Sequence, residues 1–159
     1  MTTTTPTTPV VTEQVTVQPP KERQPVGMRR FGYAVAIAIN VAFIILINEW
    51  PGWSSVPFLT NDTEVVIPIL NAALVISIVV NAIYLIADPR WLRAMGDAVT
   101  AAVSFIVIIV TLRVFPFDFS EYSFDWTMLV QIMLGVGLIG CVVGVIANLV
   151  TFVREVGNG

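Results

Sequence analysis

A chain of 159 residues that is 56% hydrophobic and 12% charged is not an ordinary soluble domain, in which about a quarter of residues carry charge. Its net charge of −3 comes without any basic patch, which excludes nucleic-acid binding, and the lack of histidine excludes His-ligated haem, most zinc catalysis and a His general base. The single cysteine, Cys141, rules out an intrachain disulfide and dithiol redox chemistry, and no cofactor is expected.

Mean hydropathy is +0.84, and the apolar runs each approach the roughly 20 residues needed to cross a bilayer core. The expectation is therefore all-α: a four-helix transmembrane bundle behind a disordered N-terminal tail. Residues 1–27 are rich in Thr and Pro, with too little apolar surface to offset the entropy of ordering. They read as a disordered cytoplasmic tail, either a docking segment or a solvated leader. They do not read as a signal peptide, because no short apolar region with a small-residue cleavage site follows.

The transmembrane domain is expected over 28–153, with spans near 31–48, 64–87, 94–114 and 126–153, and a short cytoplasmic tail at 154–159. The first span follows Arg29 and Arg30 and carries Asn40 in its interior. The second is entered through Asn61-Asp-Thr-Glu64, where Asn61 or Thr63 is placed to cap the free amides, and Pro68 falls in its first turns. Asp88-Pro89 then stops that helix and starts the next, with Asp88 as N-cap and Pro89 as first helical residue.

Along the third span Asp97, Thr100, Ser104 and Thr111 fall in one narrow stripe of a helix turning about 100° per residue. Lipid offers these groups no hydrogen-bond partners, so the stripe must face protein or water. Arg93, one turn earlier, is the simplest partner for Asp97. The span empties into a loop from Phe115 to Trp126, and Asp125 is placed to cap the fourth helix.

Lys21, Arg23, Arg29, Arg30, Arg90, Arg93 and Arg154 lie on one side of four spans and only Arg113 on the other, which places both termini in the cytoplasm. The opposite side is acidic. Its Asp118, Glu121 and Asp125 match no EF-hand spacing and read as solvated acids.

Neutral polar residues inside the spans, Asn40, Asn71, Asn81, Thr100, Ser104 and Thr111, either bond helix to helix or line a hydrated path. No span carries an acid or base near its middle. On the fourth span Gly137, Gly140, Gly144 and Asn148 share a face suited to close helix packing, within the monomer or against a second chain. Phe115, Phe117 and Phe119, with Asp118 and Arg113, suggest a cap across the bundle mouth that can also serve as an outer contact surface. Arg113 is expected to snorkel to phosphate or to pair with Asp118, Glu49 or Glu64.

The segments Trp50-Pro-Gly-Trp53, Asp88-Pro-Arg-Trp91, Gly96-Asp97 and Val114-Phe-Pro-Phe-Asp-Phe119 give residues 30–153 a resemblance to uncharacterised four-helix integral membrane proteins of actinobacteria. That resemblance implies a bacterial cytoplasmic membrane and carries no site residue with it. The expected function is a non-enzymatic accessory or scaffold protein working in the bilayer through a membrane-protein partner or a homo-oligomer. The alternative is an oligomeric conduit for an ion or small solute. A membrane enzyme ranks third, because no nucleophile stands with a base.

Overall fold

The computed structural model describes residues 25–157; of the tail expected over 1–27, residues 1–24 lie outside that range, as do the last two residues, while Val26 and Gly27 already belong to the first helix. Four long helices account for most of it: α1 (Val26–Asn48), α2 (Thr63–Ile86), α3 (Arg90–Val114) and α4 (Trp126–Gly157). Each is long and apolar enough to cross a membrane. At 1.5 Å per residue even α1, with 23 residues, reaches about 35 Å against a hydrocarbon core of about 30 Å. A single 3₁₀ turn, Trp53–Ser55, interrupts the first loop.

Local signals explain the ends. Asp125 accepts the Met128 N–H at 3.2 Å and caps α4 as expected. The expected side-chain cap on α2 does not form. Instead the carbonyls of Thr60, Asn61 and Asp62 take the amides of Thr63, Glu64 and Val65, so a tight backbone turn has already satisfied the donors. Asp88 does not cap α3 either. Pro89 occupies the cap position with extended backbone, the helix begins at Arg90, and the Asp88 carboxylate turns to other partners. Past α3, Phe115 adopts a left-handed φ of 42°, with its N–H bonded to the Thr111 carbonyl at 2.7 Å.

The helices run alternately up and down, α1 against α2, α2 against α3, and α3 against α4. Among the described residues α1 and α4 share no such interface, so the bundle is a folded row with an open seam rather than a closed ring. Buried positions are few: Ala94, Gly96 and Ala98 on α3, Tyr84 on α2 beside Gly96, Thr63 and Val66 in the first turn of α2, and Pro116 in the loop after α3. Large apolar side chains such as Ile139, Val143 and Ile146 cover the outside. That distribution suits a protein solvated by lipid, where close backbone packing replaces a hydrophobic core.

Candidate functional site

Two structures stand out, a polar clasp with a groove at the end holding both termini, and an aromatic cap at the other. The clasp centres on Asp88, whose carboxylate lies 3.0 Å from Arg29 Nη2 of α1 and 2.8 Å from Arg93 Nε of α3. Tyr33 donates its hydroxyl to the same carboxylate at 3.0 Å. One short acidic side chain thus ties three helices together, and this is why it is unavailable as a helix cap.

Tyr84 stands beside Tyr33, ring centroids 5.3 Å apart. Its hydroxyl is 2.8 Å from the Arg93 carbonyl and 3.0 Å from Asp97 Oδ1. The expected Arg93–Asp97 pair is therefore replaced. Arg93 turns back to Asp88, the nearer acid across the α2–α3 turn, and Asp97 takes the Tyr84 hydroxyl instead.

Above the clasp lies a groove of about 440 Å³ between the tyrosines, the polar stripe of α3 and the small-residue face of α4. Tyr33, Tyr84, Asp97, Thr100, Ser104 and Gly140 define it, with Asn81, Gly137 and Cys141 also on its wall. Asp97 also borders a crevice of about 340 Å³ nearer the helix ends, shared with Arg90, Asn148 and Glu155. The crevice is crossed by an Arg90–Glu155 ion pair of 3.3 Å.

The polar stripe thus splits. Thr100 and Ser104 join the groove, although the Thr100 hydroxyl is bonded to the Gly96 carbonyl at 2.9 Å; Thr111 bonds to Val107 of its own helix and is not part of the lining. Asn40 and Asn81 likewise bond to carbonyls one turn back, those of Ala36 and Ser77. Asn71 is a helix-to-helix bond: it exchanges two amide hydrogen bonds with Asn48, at 2.7 and 2.9 Å.

The α4 glycines also divide. A side-chain carbon at Gly144 would touch Ala101 Cβ at 3.7 Å, and one at Gly137 would meet Ile108 Cδ1 at 3.3 Å. These two set the close approach of α3 and α4. Gly140 has nothing within 4 Å and faces open groove.

At the far end the two loops are stitched by backbone. Thr60 donates to the Pro116 carbonyl at 3.1 Å, and Asp118 donates to the Phe58 carbonyl at 2.9 Å. Phe58, Phe117 and Phe119 stack along this seam, with centroids 5.6 and 6.0 Å apart. Phe115 packs edge-on against Phe117 at 5.4 Å. Asp118 accepts the Ser120 backbone N–H at 3.0 Å, which with the Ser120 hydroxyl holds its carboxyl below the usual aspartate range. Arg113 is exposed and takes part in no ion pair among the described residues, so of its two expected roles the pairing is not formed. Among the described residues no group of three or more His, Cys, Asp or Glu is placed to hold a metal ion.

Sequence reasoning overlooked Tyr33, Tyr84 and Asp88 as a unit. Their signal was present but dispersed, since Tyr33 and Asp88 meet across 55 residues of chain. No family model matches this chain, and the searches of curated proteins and of solved structures found no match either.

Proposed function

We propose that the protein is a non-enzymatic accessory or scaffold protein of the cytoplasmic membrane, whose open groove receives a transmembrane helix of another membrane protein. The observation that carries this is the groove itself. Asp97, Thr100 and Ser104 line the seam that α1 and α4 leave unclosed. Thr100 is already bonded within its own helix and Asp97 to Tyr84. Facing lipid, however, the Ser104 hydroxyl and the remaining lone pairs of the Asp97 carboxylate would lack partners, at a cost of several kcal/mol for an unsatisfied group. A partner helix brings both hydrogen bonds and a backbone able to lie close against the glycine wall.

Gly140→Leu tests the reading, because the added side chain enters open groove rather than the α3–α4 contact. The variant is expected to keep its own thermal stability in mild detergent and to lose the partner in pull-down and native mass measurements. Gly144→Leu, by contrast, drives three more carbons toward Ala101 and is expected to destabilise the monomer by about 1–3 kcal/mol. An intact complex with Gly140→Leu would sink the proposal. A homo-oligomer in place of a distinct partner would assign the groove to a second copy.

A conduit draws less support. The groove lining ends at Ser104, and the ten residues from there to the end of α3 offer only Thr111 and Arg113 as polar groups, over roughly 15 Å of helix. Ion flux into liposomes above the empty-liposome level would reverse that ranking.

Both termini belong on the cytoplasmic side in this proposal, since Arg29, Arg90, Arg93 and Arg154 all lie at that end of the helices. A green fluorescent protein fused after Gly159 is expected to fluoresce in a bacterial host, and an alkaline phosphatase fusion at the same point is expected to be inactive. The reverse pattern would invert the topology.

A further inference from the structure

The spacing along α4 explains a second cavity, independent of the groove. Gly137 lies beside Ile108 and Gly144 beside Ala101, so the antiparallel register puts Val130 level with Phe115, just past the end of α3. From there to its start, the stripe of α4 that faces α3 has no α3 to pack on. Trp126 and Val130 lie in this stretch, Met133 and Leu134 continue the lining one turn further along α4 beside the last turn of α3, and the loop aromatics Phe58, Phe117 and Phe119 complete it. Between them is a half-open cavity of about 590 Å³, with Tyr122 on its wall.

Its occupant follows from its lining and its depth. The side chains contribute only the Tyr122 hydroxyl and the Trp126 indole N–H as polar groups, too few for a body of water, whose molecules each need two to four polar partners. An empty space of that size forfeits dispersion contacts on every wall. From Trp126 to Leu134 the lining descends about 12 Å along the helix, from the interfacial aromatics into the hydrocarbon span. The adjacent medium at that depth is lipid acyl chain.

A polar cleft of about 490 Å³ adjoins this cavity and shares Phe117, Phe119 and Tyr122 as its wall. Asp118 and Asp125 line the cleft, together with Ser120 and Ser123, and no Lys or Arg does. Such a rim disfavours a net-anionic headgroup and suits one that carries an ammonium.

We infer that this end of the molecule holds a phospholipid of the adjacent leaflet, its acyl chain between Trp126, Met133 and the loop phenylalanines and its ammonium headgroup beside Asp118 and Asp125. The lipid completes the packing that α3 leaves unfinished and braces the two stitched loops.

Trp126 reports on this site directly. Trp50, Trp53 and Trp91 are replaced by Phe in the full-length protein, which is then reconstituted in phosphatidylcholine liposomes. These contain increasing fractions of phosphatidylethanolamine or phosphatidylglycerol with dibrominated acyl chains, which quench indole on contact. Brominated phosphatidylethanolamine is expected to quench Trp126 along a saturating curve, well above its bulk mole fraction, and phosphatidylglycerol only in proportion to it. Val130→Phe and, separately, Met133→Phe fill the cavity and are expected to abolish the excess, with circular dichroism confirming that each remains helical. Asp118→Asn is expected to reduce the preference for the ethanolamine lipid. Quenching proportional to bulk fraction for both lipids overturns the site. Equal saturating quenching by both overturns the headgroup assignment.

Discussion

Asp88→Asn is expected to destabilise the protein by about 2–4 kcal/mol, several times more than loss of the Arg90–Glu155 pair. The substitution preserves shape and removes one charge. In its place two guanidinium groups, Arg29 and Arg93, are left without a counter-charge, and the Tyr33 hydroxyl faces an amide whose orientation cannot serve every donor. The Asp88 side chain is only 13% exposed and that of Arg29 18%, so water does little to replace the lost carboxylate. Breaking a buried pair from one side is costly for this reason, since the surviving charge keeps its desolvation penalty. Arg90 and Glu155 are 50% and 34% exposed at 3.3 Å, and Arg90→Gln is expected to cost less than about 1 kcal/mol and to matter less still in high salt. Thermal unfolding of the two variants in the same mild detergent makes the comparison. Equal, small losses would show that Asp88 is not the tie between α1, α2 and α3.

What could be read from the sequence, and what could not, follows the distance over which each interaction acts. Asp125 caps α4 through an amide three residues away, and the pattern alone is enough to see it. The four spans were legible for the same reason, because hydropathy is a local property and each helix is long and apolar by itself. Asp88 had an equally good local assignment as a cap. It fails because Arg29 and Tyr33, far away in the chain, are brought to it by the α1–α2 packing. Arg93 and Asp97 are well spaced for a pair, yet Asp88 competes for the guanidinium and Tyr84 for the carboxylate. The glycine face of α4 was visible as a motif. Its spacing does not say that Gly144 meets Ala101 while Gly140 meets nothing, which depends on how far α1 and α2 stand from α4. The α3 stripe shows the same limit: periodicity aligned four polar groups, but where the groove ends decides that Thr111 stays out of it.

Gly96→Ala is expected to be the most damaging glycine substitution in the molecule, although on an isolated helix it would gain about 1 kcal/mol from propensity. The added carbon would lie 2.9 Å from both Tyr84 Cζ and Val80 Cγ1, and closer still to the Tyr84 hydroxyl. Tyr84 has no easy retreat. It is 4% exposed, and its hydroxyl is committed to the Arg93 carbonyl and the Asp97 carboxylate. Moving the ring takes its single hydroxyl proton, shared between these two acceptors, away from both, and keeping it forces α2 from α3. Overpacking costs about 1–3 kcal/mol and each orphaned polar group about as much again, so a net loss of roughly 3 kcal/mol is expected in detergent unfolding. Gly135→Ala is the control: nothing lies within 4 Å of its new carbon, so the propensity gain of up to about 1 kcal/mol should survive. Tyr84→Phe combined with Gly96→Ala removes the closest clashing atom and is expected to recover part of the loss, since the double variant no longer has a hydroxyl to strand. If Gly96→Ala and Gly135→Ala behave alike, α2 and α3 do not approach as closely as Tyr84 and Gly96 imply. The groove beside them, whose wall includes Tyr84 and Asp97, would then have a different shape.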